Sequence, residues 1–426
     1  MKKVMQRAAT SLLLAALIIA GLSFFVFRLA KNGGDWSSYF SRRAPVGEIT
    51  DRQGVKLYLS DGNEYSFADD LQTRLSCYQL IGDLNGAVGT AALRNFRSEL
   101  SNYSFIKGAP VASTLRLTID TKLQKAAHAA LGGRDGSVML LNYKTGEILC
   151  MVSNPTQDPM NLSATPAEGT YLNKCINAVY TPGSVFKLLT LGAAIENIPG
   201  ITEKTFSCSG MSVVGGAELN CSGTHGNQTL KDALKNSCNV AFSEITLQLG
   251  SSKLDEYAKK AGFTVGTKIS GIDTKAGSLG NIEPDSIGLA WAGIGQHEDQ
   301  ITPFSMLKYV SAIANDGAAV TAKLKTDENS KAKPEEILKP QTAVLIKEMM
   351  QYNVEAAYGT WRFPDIGICA KTGTAETGTG SSHSWFTGFA GSEQYPIAFV
   401  VLAENAGAGA GAAAEIASYV LRALVE

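Results

Sequence analysis

Apolar residues fall into three patterns along this 426-residue chain. Near the start, residues 8–27 form one run without a charge, and twenty residues rising about 1.5 Å each match the roughly 30 Å hydrocarbon core of a bilayer. Lys2, Lys3 and Arg7 precede the run, so the positive-inside rule predicts a cytoplasmic tail at 1–7, a single transmembrane helix at 8–27 and everything after Arg28 outside. The length of the run and the lack of a clear small-x-small site after it argue against a cleaved signal peptide. From 28 to 112 the pattern is mixed. Residues 47–58 alternate about a turn ending at Gly54, as a β-hairpin does, and the rest reads as a short spacer or docking platform.

From about 113 to 426 the pattern tightens into regular elements. Leu117 to Asp120 ends a strand, and Asp120 is placed to cap a helix over 121–131. Residues 136–152 are two apolar strands about a tight turn. An apolar helix opens at Ser184, short helical runs follow at 230–234 and 240–249, and further helices are predicted at 304–315 and 341–352. Residues 323–339 are a polar excursion. Strands at 368–376, 384–390 and 397–402 then precede an amphipathic helix at 412–425. This order of elements predicts an α+β domain, an antiparallel sheet flanked by helices.

Composition narrows the function. The chain is 45% hydrophobic and 18% charged with a net charge of -1, which describes a folded chain with no basic surplus for nucleic acid. The candidate chemistry begins at Ser184. Pro182 and Gly183 break what precedes, and Lys187 stands one helical turn on, so its amine can reach the serine hydroxyl. A lysine in apolar surroundings loses hydration in its charged form, and the neutral amine that results is a base for serine. The helix N-terminus also suits a developing oxyanion. Ser-x-x-Lys nevertheless occurs four times, at Ser104/Lys107, Ser184/Lys187, Ser305/Lys308 and Ser330/Lys333. Local physics leaves Ser184 and Ser305 both open.

Two further elements break the tie. Ser237-x-Asn239 occurs once, and Lys371-Thr372-Gly373 follows it; a second Lys-Thr-Gly, at Lys144, precedes every candidate in a hairpin turn. Ser184, Ser237-x-Asn239 and Lys371-Thr372-Gly373, in that order, resemble the active-site set of penicillin-binding proteins and serine β-lactamases. No Ser-x-Asn follows Ser305, which excludes it as the nucleophile. The anchor, the 47–54 stretch, the Leu117 opening, Gly295-Gln296 with Thr302-Pro303, and Trp385-Phe386 are similar to the monofunctional class B penicillin-binding proteins. Ala370, where that family often has glycine, is a departure.

The resemblance implies a peptidoglycan D,D-transpeptidase on the penicillin-binding/serine β-lactamase fold, with residues 113–426 as catalytic domain after a short pedestal. Ser184 would attack the D-Ala-D-Ala amide of a stem peptide with Lys187 as base. Ser237 would relay a proton, Asn239 would bind the substrate amide and Lys371 would hold positive potential. Thr372, Gly373 and Thr374 would line the carboxylate and oxyanion subsite, with the backbone N–H groups of Ser184 and Thr374 as the hole. β-Lactams would enter the same site. The expected partners are the membrane and a membrane glycan polymerase, with no cofactor, and the place is the bacterial cell membrane. A D,D-carboxypeptidase or β-lactamase is the alternative, and a non-catalytic β-lactam sensor or division scaffold a third. The second carboxylate of a class A β-lactamase is expected in a Glu-x-x-Leu-Asn element after Ser-x-Asn, whereas Glu218-Leu219-Asn220 comes before it.

Histidines at 128, 225, 297 and 383 have no nucleophile elbow nearby, which argues against a Ser-His-Asp triad, although His383 could border the site. The seven cysteines, at 77, 150, 175, 208, 221, 238 and 369, contain no Cys-x-x-Cys pair, so no metal is expected even with His225 close to Cys221. Cys208 and Cys221 are either a disulfide outside the membrane or free thiols.

Overall fold

The computed structural model describes residues 2–426 apart from 42–44, 62, 105–108, 329–333, 377, 379–380 and 408–410. Lys107, and both members of the Ser330/Lys333 pair, lie outside the described residues. Helix α1 (Lys2–Ser41) carries the apolar run. Its segment Lys2–Arg28 is the one stretch among the described residues long and apolar enough to cross a membrane, and the most apolar eighteen-residue window in it is not buried by the rest of the chain.

A small sheet follows. Strands β1 (Gly47–Thr50) and β2 (Lys56–Ser60) form the expected hairpin, β3 (Tyr65–Phe67) extends it, and β4 (Thr114–Arg116) returns parallel to β1. The strand order is therefore β3-β2-β1-β4. Asp51 builds the hairpin turn, one carboxylate oxygen accepting the N–H groups of Gln53 and Val55 at 2.8 Å each. Its other oxygen accepts the N–H and hydroxyl of Thr121 at 3.1 and 2.8 Å, which fastens the small sheet to helix α2 (Thr121–Leu131). Asp120 caps that helix, accepting from the Lys122 N–H as its position in the sequence implied.

The large sheet begins with β5 (Gly136–Asn142) and β6 (Ile148–Asn154). Helix α3 (Lys187–Asn197) leads into two small ribbons of four-residue strands, β7 (Thr205–Cys208) with β10 (Gly226–Thr229), and β8 (Met211–Val214) with β9 (Ala217–Asn220). Helices α4 (Asn239–Leu249), α5 (Pro303–Ala314) and α6 (Pro340–Asn353) complete a helical block. Strands β11 (Ile368–Ala375), β12 (His383–Ala390) and β13 (Ile397–Ala403) then join the first two in a five-stranded antiparallel sheet of order β11-β12-β13-β5-β6, and α7 (Ala412–Val425) closes the chain. This is the α+β arrangement that the order of elements predicted.

Both faces of the sheet are covered, which is why its central strands read as continuous apolar runs. Met139, Leu141, Val400 and Leu402 pack toward the helical block. Their neighbours Val138, Leu140, Phe399 and Val401 pack with Leu123, Leu131, Ile416 and Val420 of α2 and α7. Each such side chain, fully buried, contributes about 2 kcal/mol. β11 is left at the sheet edge, with only one strand neighbour, and there it meets the turn that carries Ser184.

Candidate active site

Ser184 sits in a 3₁₀ turn, Gly183–Val185, and the α-helix proper starts at Lys187 rather than at Ser184. Gly183 explains the delay: its φ of +56° is a left-handed value that glycine adopts without strain. The turn is wedged between two others. A Cβ on Gly183 would lie 2.3 Å from the backbone oxygen of Thr374, and the Gly183 N–H donates to the Gly295 carbonyl at 2.7 Å. Gly373 is equally confined, since a Cβ there would come within 2.9 Å of the Pro182 carbonyl. These contacts seat the serine turn against strand β11. Gly183→Ala should therefore cost about 2 kcal/mol from strain and displacement, read as a thermal midpoint several degrees lower in detergent solution.

The side chains of three separated segments meet at this seam. Lys187 Nζ is 3.1 Å from Ser184 Oγ, 3.2 Å from Ser237 Oγ and 2.7 Å from Asn239 Oδ1, and it donates to the Ser237 carbonyl at 2.6 Å. Lys371 Nζ reaches Ser237 Oγ at 3.0 Å from the other side and donates to the Thr372 carbonyl at 2.9 Å. Ser237 Oγ thus joins two lysines. Its φ of +52° is unusual for a residue with a side chain, and turns the hydroxyl between them at the start of α4. Asn239 Nδ2 in turn donates to the Asn220 carbonyl on β9 at 2.9 Å.

Neither lysine is exposed to solvent, both being at 0%. Burial draws Lys187 down to about 7, with the Cys221 and Cys238 sulfurs, when ionised, pulling the other way. Lys371 lies well below the ordinary lysine value, first because it is buried and then because Lys187 is close by. The apolar wall is partly Phe242, whose ring centre lies 5.7 Å from Lys187 Nζ. The arrangement offers a nucleophilic hydroxyl beside a neutral amine, with a second hydroxyl to pass protons on. That is equipment for acyl transfer.

The likeness to known proteins agrees. Residues 136–422, well over half of the chain, match the penicillin binding protein transpeptidase domain. The chain belongs to the penicillin-binding protein transpeptidase family. The peptidoglycan D,D-transpeptidase PbpA of Mycolicibacterium smegmatis is 29% identical over 359 residues, which cover 74% of this chain and 72% of PbpA. The crystal structure of PBPA from Mycobacterium tuberculosis has the same fold, with a TM-score of 0.77 at 24% identity over 90% of this chain and 100% of that one. The penicillin G acyl-enzyme complex of penicillin-binding protein A from M. tuberculosis matches with a TM-score of 0.76 at 25% identity, again over 90% of this chain and 100% of that one.

Within this transpeptidase-family chain the competing motifs take structural parts. Ser305 is buried at the start of α5, where its hydroxyl donates to the Thr302 carbonyl at 2.8 Å, and Lys308 pairs with Glu335 at 2.6 Å. Lys144, of the other Lys-Thr-Gly, reaches Asn315 Oδ1 at 2.8 Å from its hairpin turn. Glu218 is exposed on β9. His383 is held in the structure, its Nδ1 accepting the Asn405 N–H at 3.1 Å and its ring set edge-on to Tyr180. Among the described residues no histidine hydrogen-bonds Ser184.

Thr372 and Thr374 alternate with Lys371 and Gly373 along β11, so the two threonines share one strand face. The Thr372 hydroxyl and N–H both donate to the Tyr358 hydroxyl, at 3.2 and 3.3 Å. Tyr358 escaped the sequence reading; it ends a π-helical turn, Val354–Tyr358, that no local pattern announces. Gln296 also joins the site, its Nε2 donating to the Thr374 carbonyl at 3.1 Å.

The cysteines decide between the two states that the sequence left open. Cys208 and Cys221 do not form a disulfide: both are free thiols. Cys221 instead faces Cys238 and His225, with Sγ 3.8 Å from Cys238 Sγ and 3.6 Å from His225 Nδ1. Folding brings together Cys208, Cys221, His225 and Cys238, which the sequence keeps apart.

Proposed function

We propose that this penicillin-binding protein is a peptidoglycan D,D-transpeptidase, the activity named for its M. smegmatis relative, and that it works through a Ser184 acyl-enzyme. The observation that carries the reading is the unbroken path Ser184 Oγ, Lys187 Nζ, Ser237 Oγ, Lys371 Nζ, with steps of 3.1, 3.2 and 3.0 Å. Lys187 takes the Ser184 proton as Oγ attacks the carbonyl of the penultimate D-Ala. The backbone N–H groups of Ser184 and Thr374 receive the oxyanion, worth about 3 kcal/mol per donor in comparable acyl transfers. Ser237 returns a proton to the departing terminal D-Ala amine, and an acceptor amine then takes the acyl group and frees Ser184. Asn239 holds the substrate amide. Thr372, Gly373 and Thr374 bind the substrate carboxylate, whose charge draws Lys371 back to its protonated form.

Among the described residues no carboxylate hydrogen-bonds Ser184, Lys187, Ser237 or Lys371, which leaves water without a dedicated base and favours an amine acceptor. Residues 113–426 form the catalytic domain, 28–112 the pedestal, and 8–27 the membrane anchor, with 1–7 in the cytoplasm. The anchor and pedestal together are the surfaces offered to a membrane glycan polymerase.

Incubating the solubilised protein with a D-Ala-D-Ala-terminated stem peptide and a labelled D-amino acid tests the reaction. The product expected is the exchanged peptide, seen by mass spectrometry. Hydrolysed donor alone would mean a carboxypeptidase, and no turnover with either acceptor would contradict an enzyme altogether. Lys371→Ala should slow acylation by about 10²-fold, through loss of the proton path and the carboxylate's partner charge.

A further inference from the structure

Three thiols and one imidazole outside the acyl-transfer path converge behind the turn that carries Ser237 and Asn239. Cys208 ends β7, Cys221 follows β9, His225 precedes β10 and Cys238 caps α4. The four ligand atoms all lie within 4.8 Å of one another. Zinc bound by thiolate at about 2.3 Å and imidazole at about 2.05 Å makes a tetrahedron whose edges are about 3.8 Å between sulfurs and about 3.6 Å from sulfur to nitrogen. The edges from Cys221 are 3.8 Å to Cys238 Sγ and 3.6 Å to His225 Nδ1. A disulfide, by contrast, requires sulfurs about 2.05 Å apart.

The surroundings point the same way. Backbone N–H groups of Asn239 and Ala241 donate to Cys221 Sγ and Cys238 Sγ at 3.2 and 3.4 Å, contacts that orient thiolate ligands and spread their charge. The segment also needs a staple. Its two ribbons have strands of only four residues, and two-stranded ribbons are marginal alone. Few apolar side chains of this stretch reach the core, Phe206, Val214 and Leu219 among them.

We propose that Cys208, Cys221, His225 and Cys238 bind one zinc ion, and that this ion fixes the Ser237–Asn239 turn against the ribbons. Binding displaces three thiol protons and leaves the His225 proton on Nε2, giving a site of net charge -1. With four protein ligands the shell is closed, so the ion is structural and carries no water for chemistry. Soft thiolates in a tetrahedron select zinc over magnesium or calcium. The metal ligands are positioning residues: Cys238 lies between Ser237 and Asn239, and anchoring it offsets the cost of the left-handed backbone at Ser237.

The test uses the full chain in detergent, purified under reducing conditions without chelator. Plasma mass spectrometry should find one zinc per chain, Cys208→Ser and His225→Ala should lose it, and His225→Cys should keep it. Because such variants can misfold, the wild type supplies an independent readout. Exchange of its zinc for cobalt(II) should produce thiolate-to-cobalt charge-transfer bands and the intense visible bands of a tetrahedral ion. Stripping zinc should slow labelling by a fluorescent penicillin about tenfold or more, and zinc, not magnesium, should restore it. Substoichiometric metal without the cobalt bands, zinc content indifferent to the substitutions, iron in place of zinc, or an intact mass short by the two hydrogens of a disulfide would each overturn the proposal.

Discussion

Ser184→Ala should leave the protein folded and without acyl transfer. The serine contributes little to packing: it lies in a turn held by backbone contacts at Gly183 and by the Trp385 indole N–H, which donates to the Thr181 carbonyl at 3.0 Å. Removing one hydroxyl there leaves the helical block and the sheet edge intact. Chemically the loss is complete, because Lys187 is a base with nothing left to deprotonate. In a comparable serine enzyme, removal of the nucleophile costs about 10⁶ in turnover. The measurement is exchange of stem-peptide D-Ala for a labelled D-amino acid, beside a thermal melt. An unchanged melt with no exchange is the expected pair of results.

Lys187 carries the next largest effect. Lys187→Ala should slow acylation by about 10²–10⁴-fold, the usual contribution of a positioned general base. The wild type should also show the base in its pH profile. Burial lowers Lys187 to about 7, so the amine is neutral and competent above that pH and protonated below it. Acylation by a fluorescent penicillin should therefore fall as pH drops through about 7, approaching a tenfold loss per unit, and Lys187→Ala should flatten that limb. Burial gives the sign: it strips water from the charged Lys187 amine, whereas the Cys221 and Cys238 sulfurs favour the charge when ionised, and a charged Lys187 in turn opposes charge on Lys371.

Much of this site was legible because the chemistry is written in order along the chain. The apolar helix after Ser184 announced a buried lysine, and the single Ser-x-Asn separated Ser184 from Ser305, whose hydroxyl serves as a local helix contact. The strands of the large sheet were legible for a different reason: burial on both faces makes β13 and the middle of β5 and β6 continuous apolar runs, so length and flanking turns marked them. What remained hidden depends on contacts distant in sequence. Tyr358 meets Thr372 only because the end of α6 packs along β11. The ribbons at 205–229 have too few apolar positions to show a two-residue period. Their cysteines are spaced as Cys-x₁₂-Cys-x₃-His-x₁₂-Cys, and only the crossing of β7, β9 and α4 joins them.

The most direct test of the central claim is to find which side chain a penicillin acylates. The protein would be labelled at neutral pH, denatured, digested with trypsin and read by tandem mass spectrometry. Lys174 and Lys187 bound a peptide of residues 175–187 that contains Ser184, and Lys275 and Lys308 bound one of residues 276–308 that contains Ser305. The adduct is expected on Ser184, still present after a long chase with unlabelled drug. An adduct on Ser305 or elsewhere, or one that survives in Ser184→Ala, would contradict it.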